Sequence, residues 1–294
     1  MAPPADTGHI TVLAAPAQAL IVDCGRTGWR HLAITTAGAY DRAAYARANR
    51  LVGNAPGSAA IEFVFGPLSF ALDSAATVAI TGITAAITVT TGTERRPVSP
   101  ETTIVAPAAA RIDIAPARGG LRGYIAIRGG FDARPVLGSR SSDTLSGLGP
   151  PLLGAGDTLP RGRAVAAFPA SGQAPQPSMP RELVLNLLPP PRPERYEAAR
   201  IGAADAAWTV SADSDRIGLR LSGASLTIDA QAASEPLVRG AVQVPPDGQP
   251  VIMGPDHPVT GGYPVIGVVD STGSDLLAQA RPGAVIRFRL LEHP

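Results

Sequence analysis

Glycine and proline constrain this chain more than any other feature: 32 of the first and 30 of the second are spread over 294 residues, about a fifth of the sequence. Proline lacks the backbone N–H that long regular elements need, and glycine loses the most conformational freedom on ordering. The pattern therefore predicts many turns between short strands. Local strand signals agree. Residues 77–91 alternate small apolar residues and threonine around Gly82. Residues 111–114, 124–128, 182–188, 226–229, 241–244, 251–253, 265–269 and 285–291 are short, β-branched-rich and bounded by Gly, Pro, Asp or Ser. The last reads Val-Ile-Arg-Phe-Arg-Leu-Leu, an alternating half-buried strand. Only two helices are predicted. One opens at Asp41, an N-cap residue type, and puts Ala44, Tyr45, Ala48, Leu51 and Val52 on one stripe before Gly53-Asn54 ends it. The other starts at Ser274 and covers 275–280 before Pro282-Gly283 stops it. The expected class is mainly β, built of barrels or sandwiches.

A chain of this length makes one large domain or two of about 150 residues. The clearest boundary is 169–181, a Pro/Ser/Gln-rich stretch without apolar periodicity that reads as an extended linker. It separates expected domains at 1–168 and 182–294, and a second proline cluster, Pro189-Pro190-Pro191 and Pro193, follows one strand later. Two echoes suggest related halves. Arg26-Thr27-Gly28-Trp29-Arg30 and Arg216-Ile217-Gly218-Leu219-Arg220 share the pattern Arg-x-Gly-x-Arg, and Ile61–Pro67 faces Val251–Pro255 at nearly the same offset.

Charge and composition exclude several classes. The net charge is +1 with no basic run, which argues against a nucleic-acid partner or a polybasic membrane surface. No apolar run approaches the ~18 residues of a membrane span, and the N-terminus lacks a signal-peptide pattern, so a cytoplasmic, soluble protein is expected. Cys24, the single cysteine, rules out an intrachain disulfide and reads as a small buried residue beside Gly25. No lysine occurs anywhere, which removes Schiff-base, phosphate-loop and biotinyl lysines. No His/Asp/Glu cluster has metal-ligand spacing, and neither Gly-x-Gly-x-x-Gly nor Gly-x-Ser-x-Gly is found. His9 and His293 lie near the termini and read as inert.

Three segments carry chemistry. In the first, Asp23-Cys24-Gly25-Arg26-Thr27-Gly28 and Ala37–Asp41, glycines permit tight turns and Arg26 can grip a carboxylate or phosphate, or pair with Asp23, Asp41 or Glu62. The second, Gly138-Ser139-Arg140-Ser141-Ser142-Asp143, joins hydroxyls, a cation and backbone N–H groups as an oxyanion site would. The third, Asp256-His257-Pro258-Val259-Thr260-Gly261-Gly262-Tyr263, holds a carboxylate, an imidazole, a hydroxyl and a phenol within eight residues. An Asp–His pair can supply a general base, although neighbours on a strand face opposite ways and need not share a site.

Together these segments resemble the allophanate hydrolase subunit 2 family, also called KipA-like, which includes the C subunits of 5-oxoprolinases. Six blocks match in order from about Leu20 to Phe288: 23–28, 37–42, 48–54, 61–62, 137–143 and 259–264. Departures from the family pattern are Val22 for Gln, Ala37 for Ser, Ser142 for Thr, Val259 for Thr, His257-Pro258 for Arg-Gln, and Pro150-Pro151 where a Gly-Arg is usual. They remove polar groups from one region, a change that points to a shifted substrate or slower chemistry. The resemblance implies two tandem cyclophilin-like β-barrels working beside a KipI-like B-type subunit, often with a LamB-like A-type subunit, on a small amide. In the 5-oxoprolinase version the assembly couples ATP cleavage to opening of 5-oxoproline to glutamate. Arg26, Arg140 and Arg216 would hold the substrate, with Ser139, Ser142, Thr260, Gly261 and Gly262 lining the site. Asp256 or His257 would move protons, and Tyr263 completes the expected catalytic set. Two alternatives stand beside this. One is a carboxyltransferase half of a urea carboxylase-type enzyme, with biotin on a separate carrier. The other is a non-enzymatic antagonist of a KipI-like kinase inhibitor.

Overall fold

A computed structural model of the chain describes residues 8–163, 167–168, 171–178, 180, 182–190, 196–228 and 233–291. His293, Pro191, Pro193, Asp229 and parts of the 169–181 linker lie outside these. The residues group into two compact units. The first takes the chain up to Gly25 with Arg42–Ser142 and Leu148–Ser178; the second takes Arg26–Asp41, Asp143–Gly147 and the residues after Ser178.

The first unit contains β1 (His9–Ala14), β2 (Ala19–Val22), α1 (Arg42–Leu51), β3 (Ala60–Val64), β4 (Leu68–Leu72), β5 (Ala76–Thr81), β6 (Ile87–Thr91), β7 (Glu94–Val98), β8 (Thr103–Ala106), β9 (Arg111–Ile114), β10 (Arg122–Ile127) and β11 (Thr158–Pro160). They form two antiparallel sheets, ordered β11-β1-β4-β9-β6-β7 and β2-β3-β10-β5-β8. Alternation sends Ile87, Val89, Ile112 and Ile114 from one sheet, and Ile61, Phe63, Val78, Ile80, Ile125 and Ile127 from the other, into a single core. Every residue of β10 is buried, because α1 covers its other face. The helix presents the predicted stripe of Ala44, Tyr45, Ala48 and Leu51, and Thr81 Oγ1 donates to Ala44 O at 2.8 Å.

The second unit holds β12 (Glu182–Leu188), α2 (Glu197–Asp205), β13 (Trp208–Val210), β14 (Gly218–Ser222), β15 (Glu235–Pro236), β16 (Ala241–Gln243), β17 (Val251–Met253), β18 (Thr260–Gly261), β19 (Val265–Val269), α3 (Ser271–Leu277) and β20 (Val285–Leu290). Seven strands close into a barrel in the order β12-β19-β16-β17-β14-β13-β20, while β15 and β18 make a small separate ribbon. A parallel β12–β20 pairing, Glu182 opposite Val285 through Leu187 opposite Leu290, shuts the barrel. Ile286 and Phe288 of β20 enter a core that also buries Trp208, and Arg287 and Arg289 face out.

The mainly β expectation holds, and the details differ in five places. A third helix, α2, goes beyond the two expected; Ala199 and Ala203 bury against the barrel, so tertiary packing stabilises it more than any sequence signal. α3 begins at Ser271 because Asp270 caps it, accepting from Gly273 N–H at 2.7 Å. Residues 226–228 form no strand, and Cys24 is exposed instead of buried. The Arg-x-Gly-x-Arg echo also occupies unlike structure. Its first copy runs into a 3-10 turn at Arg30–Leu32, whereas its second leads into β14. No helix among the described residues is long and apolar enough to cross a membrane.

Candidate functional site

In the first unit, the Gly/Ser loop is organised by Asp23, which follows β2 and is buried. Its Oδ1 accepts from Gly25 N–H at 2.7 Å, Ser139 Oγ at 2.6 Å and Ser141 Oγ at 2.8 Å. Its Oδ2 accepts from Arg140 N–H at 2.6 Å. Ser139 is therefore committed to Asp23, and Ser142 donates to Pro150 O at 2.8 Å. Both predicted hydroxyls act within the fold. Arg140 keeps a partly exposed guanidinium, 3.4 Å from Asp132.

In the second unit, Asp143 gathers a turn around itself. It accepts from Thr35 Oγ1 at 2.8 Å, Ser146 Oγ at 2.5 Å, Leu145 N–H at 3.0 Å and Ser146 N–H at 3.2 Å. Burial pushes its carboxyl upward, but these donors outweigh that and leave it below its ordinary value. Arg26, fully buried, approaches it at 3.8 Å.

Arg216 and Asp256 form a buried pair with no exposed surface on either side chain. Arg216 Nε and Nη2 meet the two carboxylate oxygens at 2.9 and 2.8 Å. Nη2 also donates to Gly38 O at 2.6 Å. Thr144 adds its N–H and hydroxyl to Asp256 Oδ2 at 2.9 and 2.7 Å. With both oxygens occupied, Asp256 anchors three chain segments of this unit, and the imidazole beside it is better placed to handle protons.

That imidazole, His257, is 2% exposed. Its Nδ1 lies 2.7 Å from Pro258 O. A carbonyl can only accept, so Nδ1 carries the hydrogen and Nε2 presents a lone pair. Burial holds the ring below its ordinary 6.5, and the Arg30 and Arg239 guanidinium groups act in the same direction. The Pro258 carbonyl and Asp256 oppose them. Both arginines are fixed: Arg30 donates to Leu237 O, and Arg239 to Ala39 O at 3.2 Å, to Tyr40 O, and to Asp275 Oδ1 at 3.1 Å. A neutral imidazole flanked by cations can accept a proton from a nucleophile while the cations stabilise developing negative charge.

Thr260 and Gly261 form β18, paired with Glu235 and Pro236 of β15. Gly261 has no room for a side chain, since Leu237 and the Gln243 amide fill that space. Thr260 and Gly262 are exposed. Tyr263 is 48% exposed; it lines a cleft with Arg220 and Asp247, and no hydrogen bond joins it to His257. The structure thus brings His257, Asp256 and Arg216 together and leaves Tyr263 apart from them. Sequence reasoning passes over Asp23, Asp143 and Thr144 as site organisers, although each lies in or beside one of the three motifs. Arg239 carries no signal beyond preceding Gly240.

Fold and site together define a mainly β protein in which a buried neutral imidazole sits among arginines next to a carboxylate-anchored barrel. Residues 32–290 match the carboxyltransferase domain family, subdomains A and B. The chain belongs to that family. It is 33% identical over 283 residues to the C subunit of the 5-oxoprolinase of Escherichia coli (strain K12), covering 91% of this chain and 86% of that protein. The solved structure of TTHA0988 superposes with a TM-score of 0.86 at 31% identity, covering 98% of this chain and 56% of the other. The K. lactis urea amidolyase gives a TM-score of 0.84 at 25% identity over 99% of this chain and 19% of that one. The chain thus spans about half, or less, of the solved chains it matches.

Proposed function

We propose that this chain is the C-type subunit of an ATP-dependent 5-oxoprolinase-like amidohydrolase, acting with a KipI-like B-type subunit and a LamB-like A-type subunit. The observation that carries this reading is coverage. The similarity takes in 86% of the C subunit of a 5-oxoprolinase and only 19% of a urea amidolyase.

The reaction opens a lactam: an oxygen nucleophile adds to the ring carbonyl, the C–N bond breaks, the nitrogen gains a proton, and 5-oxoproline becomes glutamate. His257 Nε2 is the proposed acceptor of the nucleophile's proton. Arg30 and Arg239 stabilise negative charge near it, and Arg140 offers an accessible cation for the substrate carboxylate. Arg216 and Asp256 act as positioning residues, and Thr260 and Gly262 offer exposed positions on and beside the β18 ribbon, with Gly261 half-buried between them. With no lysine in the chain, its residues do not fit the usual cradle for ATP phosphates, and no step here is assigned to ATP.

A second reading, a carboxyltransferase half acting on a urea-like amide, is supported by the family itself and by the urea amidolyase likeness. Biotin would then arrive on a separate carrier. The two readings part on substrate. The chain, co-purified with its B-type and A-type partners, is supplied either with 5-oxoproline and ATP or with urea, bicarbonate, ATP and a biotinylated carrier. Glutamate release in the first mixture is the expected result. Turnover in the second mixture alone overturns the proposal in favour of carboxyl transfer. A stable complex inert in both overturns it in favour of the antagonist.

A further inference from the structure

The outer face of the second unit's barrel carries a cleft of about 360 Å³, at the small end of the ~300–1,000 Å³ typical of ligand sites. Strand alternation builds one wall. Leu219 and Leu221 of β14 enter the core, so Arg220 and Ser222 point outward. The turn before β17 builds the other and is pinned. Gly248 N–H donates to Pro245 O at 2.9 Å, and Ser225 Oγ to Asp247 O at 3.0 Å. The Gln249 side chain exchanges two hydrogen bonds with the Gly223 backbone, at 2.8 and 3.3 Å. Asp247 Oδ1 accepts from Gln249 N–H at 3.0 Å, which fixes the carboxylate and leaves Oδ2 open. Tyr263, 48% exposed, completes the lining.

Two opposite charges, Arg220 and Asp247, therefore line one small cleft without an ion pair to each other or to any other described residue. We propose that this cleft binds the zwitterion of an α-amino acid, its carboxylate on the Arg220 guanidinium and its ammonium on Asp247 Oδ2, with the Tyr263 ring against the side chain. The guanidinium fork matches a carboxylate bidentately, and a ligand carrying both charges satisfies both walls at once. This site is independent of His257 and of the reaction proposed above.

Calorimetric titration of the full chain with L-glutamate, and separately with its lactam 5-oxoproline, tests the assignment. The lactam keeps the carboxylate and lacks the ammonium. Saturable binding of glutamate is expected, weakened about tenfold or more in Arg220→Ala and in Asp247→Asn, with the Arg220-dependent binding of the lactam at least tenfold weaker. Both variants lie on the exposed surface, and unchanged far-ultraviolet circular dichroism shows that they fold. Absence of saturable glutamate binding, lactam binding that is as tight as glutamate's and equally weakened by Arg220→Ala, or glutamate binding indifferent to both substitutions would each overturn the site.

Discussion

His257 owes its neutral form to burial first and to Arg30 and Arg239 second, and this has two consequences at the scale of single residues. If Nε2 accepts the proton, His257→Ala lowers glutamate release by the assembly about 100-fold or more. Because the folded pKa lies below 6.5, the acid limb of the pH–rate profile falls below that value. Stability follows the same sign. The unfolded imidazole takes up a proton near 6.5 and the folded one resists, so this contribution is intact above pH 6.5 and is lost as pH falls below it. Arg216 and Asp256 respond differently. Removing one member of a fully buried pair strands the other charge, so Arg216→Ala and Asp256→Ala each destabilise the fold by about 3–5 kcal/mol in chemical denaturation. The double substitution costs less than the sum.

Elements respond on a smaller scale. Asp270→Ala removes the cap of α3 and costs about 1 kcal/mol by thermal unfolding; Asp270→Asn, which can still accept from Gly273 N–H, recovers most of it. This cap also shows what the sequence leaves hidden. Asp270 and Ser274 are both capable cap residues, and only the structure shows which one meets the free N–H groups. Strands with strong alternation or β-branched runs, such as β9, β12, β17 and β19, are legible to the residue. The edge strand β7, Glu-Arg-Arg-Pro-Val, is exposed at four of its five positions and carries no apolar pattern to read. α2 is hidden for the opposite reason: its alanines are weakly hydrophobic, and the packing that holds them is long-range.

For the whole molecule, the site is legible as three motifs but not as a division of labour. The sequence brings Ser139, Ser142, Arg216 and Asp256 into view as polar groups near glycines. It cannot show that Asp23, Pro150 O, Gly38 O and Thr144 already engage them, because most of those partners lie far away along the chain. The second unit itself is assembled from three separated stretches. A fragment beginning at residue 179 lacks Gly38 and Thr144, so Arg216 and Asp256 lose partners that the full chain supplies. Such a fragment is expected to show little cooperative unfolding, and adding back residues 26–41 and 143–147 in a rearranged chain restores it.

If the chain is the C-type subunit proposed above, opening of the lactam at the expense of ATP requires it. The direct measurement is the number of glutamate molecules released per ATP cleaved by the B-type and A-type partners, with and without this chain. Release coupled to cleavage at close to one for one is expected with the chain present, and neither product above background without it. Glutamate released at the same rate by the partners alone would contradict it.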